Sequence, residues 1–168
     1  AIAVDLIGMG DSDKPDIDYH FDDHFRYFEA FIEMMALSDI TLVLHDWGAA
    51  LGFEYARRHP DKVKNIIFME GLLPPGFPQP SFAAMGEEMG DLFKAFKDPV
   101  QGVELIINQH MFIEKTLPFY VNRVLDQQTM DAYRAPYLDK ADRKPLLVWP
   151  LEVPIAGTPA RNVKLLAN

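Results

Sequence analysis

The feature that most constrains this sequence is a short apolar strand that gives way to a helix at one reactive side chain. Residues 40–44 are mainly apolar and are either β-branched or leucine. The small residues that follow almost at once are Gly48, Ala49, Ala50 and Gly52. Asp46 lies between the two. A sharp strand-to-helix turn crowds its neighbours, so small residues behind the turning residue predict a nucleophile elbow.

The residue at the predicted elbow is an aspartate and not a serine. A carboxylate attacks carbon and forms an ester, and the N–H groups at the start of a helix favour its ionised form. The indole N–H of Trp47 donates and cannot accept, so this side chain is suited to bind a departing anion. Two alternatives stay open: Asp46 as a helix N-cap, and Trp47 as a packing aromatic.

A second carboxylate, Glu70, follows the next predicted strand, residues 63–69. Functional side chains gather at the carboxyl ends of parallel strands, so Glu70 is placed to orient a histidine. The alternative is an ordinary surface glutamate. None of the five histidines is a good candidate base by position in the sequence. They are His20, His24, His45, His59 and His110.

The segments before Glu70 predict an α/β fold. Residues 1–6, 40–44 and 63–69 are apolar, and two helical stretches separate them. The first stretch repeats apolar residues at helical spacing over residues 21–35, and the second ends near Arg58. Apolar strands that alternate with helices form a mainly parallel sheet with helices on both faces.

The character of the sequence changes after Glu70. Residues 72–80 contain four prolines, which interrupt both helices and strands. Asp126 is a candidate N-cap for one of the helices that follow. The predicted helical stretches are residues 82–96, 101–115 and 127–133.

Thr158 followed by Pro159 predicts the start of a last helix. We therefore expect three parts in the chain: residues 1–73 as part of the α/β core, residues 74–154 as a helical cap, and residues 155–168 as a return to the core.

Composition excludes several classes of partner. A net charge of −9 disfavours nucleic acid and anionic membranes. The absence of cysteine excludes disulfides and thiolate metal sites. No metal-ligand spacing, phosphate-binding loop or dinucleotide fingerprint is present, so we expect no cofactor and no metal. No apolar run could span a bilayer, and we expect a soluble protein of the cytoplasm or periplasm.

Several segments resemble those of the haloalkane dehalogenases, a family of α/β hydrolases. The resemblance begins with the Gly- and Asp-rich residues 5–16, continues with His45-Asp46-Trp47-Gly48, and reaches Phe68-Met69-Glu70. It extends over essentially the whole chain, although His45-Asp46-Trp47-Gly48 alone is shared with epoxide hydrolases. The later matching segments, in family order, are residues 112–114, 117–118, 133–137, 149–150 and 154–160.

The resemblance implies hydrolysis of a carbon–halogen bond in two steps. Asp46 would attack the carbon that carries the halogen, while Trp47 donates its indole N–H to the halide. A histidine oriented by Glu70 would then activate water to hydrolyse the ester, with the backbone N–H of Trp47 as half of an oxyanion site. The implied substrate is a small apolar haloalkane. The implied pocket walls are Phe112, Pro150 and Val153.

The sequence departs from the family's pattern in two places. Family members carry a second halide donor, the asparagine of an upstream His-Gly-Asn-Pro loop, and a catalytic histidine far downstream of the cap. This chain contains neither segment, and several flanking strands are also missing. We therefore expect an internal, partial version of the fold whose 168 residues do not turn over 1,2-dibromoethane alone. The missing part of the same fold is a candidate partner.

Three other functions stay open. Coelenterazine-type luciferases share the turn at Asp46 and the later glutamate. An epoxide hydrolase needs tyrosine donors in the cap, and Tyr120, Tyr133 and Tyr137 are available. A catalytically incomplete fragment or subunit is the alternative of another class, and it agrees with the missing base.

Overall fold

The fold is built around one pair of parallel strands and the helices beside it. In the computed structural model, which describes residues 1–167, strand β1 (Ile40–His45) pairs in parallel with β2 (Val63–Met69). Helix α1 (Phe21–Met34) precedes β1, and helix α2 (Trp47–Arg58) connects the two strands. Parallel neighbours require such a crossover connection, and the predicted parallel sheet is confirmed.

Helices α1 and α2 pack on each other and bury the main apolar cluster. Phe21, Phe25 and Ile32 recur on one face of α1 and are buried. They pack with Leu51 and Tyr55 of α2. The first turn of α1 contains Asp22 and Asp23, where negative charge is favourable next to the helix N-terminus.

The two faces of the strand pair differ in burial among the described residues. Leu42 and Leu44 pack with Ala49 of α2 and are buried. Val43 and Ile67 are 68% and 54% exposed. Side chains alternate between the faces of a strand, so one face contacts helices and the other is open within residues 1–167.

Residues 1–6 form no strand in the described part of the chain, contrary to the prediction. A strand requires a hydrogen-bonded neighbour, and β1 has β2 as its one partner within residues 1–167. The segment instead leads into a loop organised by Asp5. The Asp5 carboxylate accepts the N–H of Asp11 at 3.0 Å, and its carbonyl accepts the hydroxyl of Ser12 at 2.7 Å.

The chain after β2 is helical, as predicted. Short 3₁₀ turns also occur at Ala83–Met85, Ala135–Tyr137 and Ala141–Arg143. The longer elements are α3 (Glu87–Lys97), two π-helical segments (Val103–Asn108 and Phe112–Thr116), α4 (Leu117–Tyr120), α5 (Gln127–Arg134), α6 (Lys144–Glu152) and α7 (Ala160–Leu166).

The predicted boundaries of these helices are correct where a local signal exists. The Asp126 carboxylate accepts the N–H of Thr129 at 2.8 Å, which confirms it as the N-cap of α5. The stretch predicted from residue 82 begins later because Gly86 has a φ of 85°. The stretch predicted over 101–115 is divided at His110, whose φ is 56°.

Two further differences lie near the end of the chain. Helix α6 was not predicted, because Pro145 and Pro150 both lie in it and proline normally marks a helix interruption. Helix α7 begins one residue later than predicted, with Pro159 and not Thr158 at the N-cap position. The division into residues 1–73, 74–154 and 155–168 stays a prediction. None of the helices described is both long enough and apolar enough to cross a membrane.

Candidate active site

Asp46 occupies the single residue between the end of β1 and the start of α2. Its backbone has φ 50° and ψ −126°, a conformation that residues with a side chain rarely adopt and that costs free energy. Such strain is found where a structure must point one side chain away from its neighbours. The predicted strand–turn–helix geometry of an elbow is therefore present in the backbone.

Close packing behind the elbow involves the predicted Gly52 and Ala49, together with Gly71. A Cβ on Gly48 would meet no atom within 4 Å, so this position does not require glycine for space. A Cβ on Gly52 would collide with the side chain of Leu44, and one on Gly71 would lie 2.7 Å from the Cβ of Ala49. These contacts allow α2 to lie close to both strands.

The Asp46 side chain does not cap helix α2. It accepts no capping hydrogen bond from the first turn, whereas Asp126 does so at the start of α5. The backbone carbonyl of Asp46 accepts the N–H of Ala49 at 3.0 Å and that of Leu72 at 3.4 Å. Asp46 is exposed to solvent. Its carboxylate accepts no capping hydrogen bond from the backbone N–H groups of the first turn of α2.

The environment of Asp46 changes its proton affinity. Partial desolvation by the surrounding protein atoms raises the pKa of the Asp46 carboxyl above its usual value, although the residue remains exposed at one side. The neighbouring His45 and the backbone N–H of Trp47 act in the opposite direction and lower this pKa. A carboxylate that has lost part of its hydration shell attacks carbon more readily than a fully hydrated one.

Trp47 is buried beside the elbow. Its ring lies 5.0 Å from the ring of Trp149 and 6.0 Å from that of Phe21, measured between centroids. Val153 belongs to the same apolar cluster. Trp47 therefore has the packing role that the sequence left open. These contacts hold its indole in place next to Asp46.

Glu70 follows β2 at the same edge of the sheet as Asp46. The strand register pairs His45 with Met69, so Asp46 and Glu70 are the residues that come next on the two neighbouring strands. Glu70 has a φ of 46° and a side chain that is 86% exposed. Its carboxylate lies 3.4 Å from Nε2 of His45.

The contact between His45 and Glu70 was missed from the sequence. Successive residues of a strand point to opposite faces, and this rule placed His45 away from the site. The rule fails here because β1 ends at His45 and β2 ends at Met69. Both side chains are mostly exposed, so the pair contributes little to stability.

No histidine of residues 1–167 contacts the carboxylates of both Asp46 and Glu70. Three of the others have carboxylate neighbours elsewhere, and His24 is buried inside the protein. The pairs are His20 with Glu152, His59 with Glu29 and His110 with Glu114. The expectation that none of the five is the base stays a prediction.

The three predicted pocket residues do not lie together. Pro150 and Val153 are buried at the end of α6, and Val153 shares a cluster with Trp47. Phe112 lies in the second π-helical segment and stacks on Phe96, with ring centroids 5.2 Å apart. It belongs to a separate apolar cluster.

Two clefts of similar size lie away from Asp46. One of about 670 Å³ lies between α3 and α4 and is lined by Met85, Met89, Leu92, Met111 and Phe119 among others. Another of about 660 Å³ includes Phe112. Asp46 lines neither of them, and within residues 1–167 no cluster of His, Asp or Glu is arranged to bind a metal ion.

The geometry of the elbow agrees with comparison to known proteins. Residues 1–103 match the alpha/beta hydrolase fold family, and the chain belongs to this family. The predicted resemblance to the haloalkane dehalogenases is also confirmed. The haloalkane dehalogenase of Mesorhizobium japonicum is 43% identical over 167 residues, which cover 99% of this chain and 53% of the relative. That of Sphingobium indicum is 44% identical and covers 98% and 56% respectively.

Solved structures give the same result. The crystal structure of haloalkane dehalogenase DbeA from Bradyrhizobium elkani has a TM-score of 0.88 and 37% identity, covering 97% of this chain and 55% of that protein. That of DatA from Agrobacterium tumefaciens has a TM-score of 0.88 at 31% identity, with coverages of 97% and 55%. The chain spans about half the length of the relatives that it matches.

Proposed function

We propose that this chain carries the nucleophile of a haloalkane dehalogenase and forms a covalent ester through Asp46. The observation that carries the proposal is the backbone of Asp46, which adopts a strained elbow while its carboxylate caps no helix. Strain of this kind is retained where a side chain must be presented for chemistry. The similarity to haloalkane dehalogenases over 98–99% of the chain supports a carbon–halogen bond as the electrophile.

The first proposed step is a displacement at carbon. An oxygen of ionised Asp46 forms a bond to the carbon that carries the halogen, and the carbon–halogen bond breaks with its electron pair on the halide. The indole N–H of Trp47 donates to the halide as negative charge develops on it. The ring of Trp47 is already buried and packed, so little ordering is needed at this step.

The second proposed step returns the carboxylate. Water attacks the ester carbonyl, the alcohol leaves, and a base accepts the proton that water loses. Glu70 lies at the next strand end and would orient that base. No histidine of the described residues contacts the carboxylates of both Asp46 and Glu70, so we expect the ester to persist in this chain.

Bromide release from 1,2-dibromoethane tests the proposal. The chain should release one bromide per molecule and retain an alkyl group, because the ester forms and is not hydrolysed. Asp46→Asn should release none. The matched control is Asp126→Asn, which alters a carboxylate that caps a helix and should react like the unsubstituted chain.

Two results would contradict the proposal or its second step. Equal bromide release from Asp46→Asn and the unsubstituted chain would exclude Asp46 as the nucleophile. Release of many bromides per molecule, with free bromoethanol as product, would show that the chain contains its own base.

The geometry of Tyr120 and Tyr137 disfavours an epoxide hydrolase. That reaction needs a tyrosine hydroxyl next to the nucleophile to protonate the epoxide oxygen. The hydroxyl of Tyr137 instead lies 3.5 Å from Sδ of Met9, and that of Tyr120 lies 3.8 Å from Sδ of Met89. Incubation with an aliphatic epoxide should therefore give no adduct. A parallel incubation with coelenterazine tests the luciferase alternative, for which the proposed dehalogenase chemistry predicts no light.

A further inference from the structure

A stack of three rings runs from helix α1 to the elbow. The imidazole of His24 lies 4.1 Å from the indole of Trp149, with the ring planes 20° apart. Trp149 in turn lies 5.0 Å from Trp47, with the planes 32° apart. The three residues come from α1, α6 and the first turn of α2, so the stack joins three separate elements.

His24 contributes ring contacts and no hydrogen bond within the described residues. The side chain is fully buried, and neither ring nitrogen has a partner among residues 1–167. Burial lowers the pKa of His24 to about 4, so the imidazole is neutral at pH 7. Its contribution to the site is therefore the shape and stacking of a flat ring.

Trp149 contacts the rings of both His24 and Trp47. Its ring is closer to Trp47 than that of Phe21, which is 6.0 Å away and tilted by 46°. The His24 imidazole lies against the same indole, with its centroid 4.1 Å away. Close packing allows a ring to shift only when its neighbour leaves space.

We propose that His24, acting through Trp149, is a positioning residue that sets the orientation of the Trp47 indole toward a departing halide. The inference rests on the proposed function, because the halide is the ligand that Trp47 would bind. His24 does not touch the reacting atoms. Its role is to keep Trp149 from moving away from Trp47.

The chain is well suited to a spectroscopic test, because its two tryptophans are both members of the stack. Near-ultraviolet circular dichroism reports the relative orientation of the two indoles, and saturable quenching of fluorescence by iodide reports halide binding. Trp47→Phe should abolish saturable quenching. Trp149→Phe should leave quenching of the remaining Trp47.

Substitutions of His24 separate positioning from a general role in stability. His24→Leu removes the flat ring and should raise the iodide dissociation constant about tenfold through misplacement of Trp47, with a smaller near-ultraviolet signal. His24→Phe keeps a flat ring and should restore both values to within about twofold. His24→Met provides a second variant without a ring if His24→Leu does not fold.

His59→Leu is the matched control. His59 also stacks on an aromatic ring, that of Tyr55 at 4.6 Å, but it is not part of the stack that contains Trp47. It should leave iodide binding and the tryptophan signal unchanged. A fall in iodide affinity of the same size in this variant would overturn the proposal, since it would indicate a general loss of packing.

The outcomes distinguish this inference from the proposed function. Iodide affinity and near-ultraviolet signal that are equal in His24→Leu and the unsubstituted chain would overturn the positioning role. If the unsubstituted chain shows no saturable quenching, the proposed halide site fails. The role of His24 then depends on the near-ultraviolet signal alone, and an unchanged signal in His24→Leu overturns it.

Discussion

Two carboxylates in this chain have opposite surroundings. Asp46 lies at the elbow, caps no helix and is open to solvent. Glu152 lies at the junction of α1, α6 and α7 and is 1% exposed. It accepts the N–H of Phe21 at 2.9 Å and the amide of Asn162 at 3.1 Å, and it pairs with Arg161.

The difference shows that a carboxylate can have a structural role or a chemical role, depending on whether hydrogen-bond donors surround it. A buried carboxylate is stable only when donors surround it, and Glu152 connects three helices because it has them. A carboxylate that must bond to a substrate has to remain without such donors. Asp46 meets that condition at the cost of a strained backbone.

The largest effect on stability should follow loss of the charge of Glu152. Glu152→Gln should lower the free energy of unfolding by about 2 kcal/mol, because Arg161 loses its partner at a buried junction, with some relief from solvent around Arg161. Urea unfolding provides the measurement. Glu114→Gln removes a half-exposed pair with Arg134 and should cost less than about 1 kcal/mol. Equal losses of stability in Glu152→Gln and Glu114→Gln would contradict the claim that the buried carboxylate contributes more than the half-exposed one.

The pH dependence of alkylation should reflect the partial desolvation of the Asp46 carboxyl. Because burial raises the pKa of Asp46, its carboxylate forms at higher pH than that of an ordinary aspartate. The alkylation rate should fall about tenfold per pH unit below that pKa. A rate that stays constant down to the usual pKa of 3.8 would contradict this.

The raised pKa of Asp46 also determines how its contribution to the free energy of unfolding changes with pH. A carboxyl whose pKa is raised by folding favours the folded state below its unfolded pKa, and this contribution is lost as the pH rises through the folded pKa. Asp126 has the opposite sign, because hydrogen bonds from Thr129 lower its pKa. Its contribution is present above the unfolded pKa and is lost as the pH falls. Unfolding of Asp46→Asn and Asp126→Asn across acid pH compares the two signs.

Strain at the elbow should be measurable as a gain in stability. Asp46→Gly should be more stable than Asp46→Ala by about 1 kcal/mol, because glycine adopts a φ of 50° without strain. Both variants lose the carboxylate, so the difference between their thermal midpoints isolates the backbone. Equal midpoints would indicate that the elbow is unstrained.

The smallest effect should follow loss of the His45–Glu70 contact. Both side chains are mostly exposed, so His45→Gln should change the free energy of unfolding by less than about 0.5 kcal/mol. A loss above about 1 kcal/mol would show that this pair stabilises the strand ends. Chemical denaturation of the two chains in parallel is sufficient to decide.

Local signals explain which parts of the fold the sequence predicted. The two strands, the α2 crossover and the N-cap at Asp126 each depend on residues that are close in sequence. Their periodicity and capping chemistry are visible without a structure. The position of Asp46 between strand and helix was predictable for the same reason.

Long-range contacts explain what the sequence did not predict. Glu152 meets Phe21 across 131 residues of sequence, and His24 meets Trp149 in the same way. Helix α6 forms despite two prolines because its apolar residues are buried against other elements. Residues 1–6 show the reverse case, since a strand-like composition forms no strand without a neighbouring strand within the described part.

Peptide mapping after exposure to 1-bromohexane tests the central claim most directly. The account predicts one hexyl ester per chain, located on Asp46, with Asp126 unmodified because its carboxylate is engaged in a helix cap. An ester on Asp126 or on other exposed carboxylates at similar yield, with none enriched at Asp46, would contradict the claim that the elbow presents a reactive nucleophile.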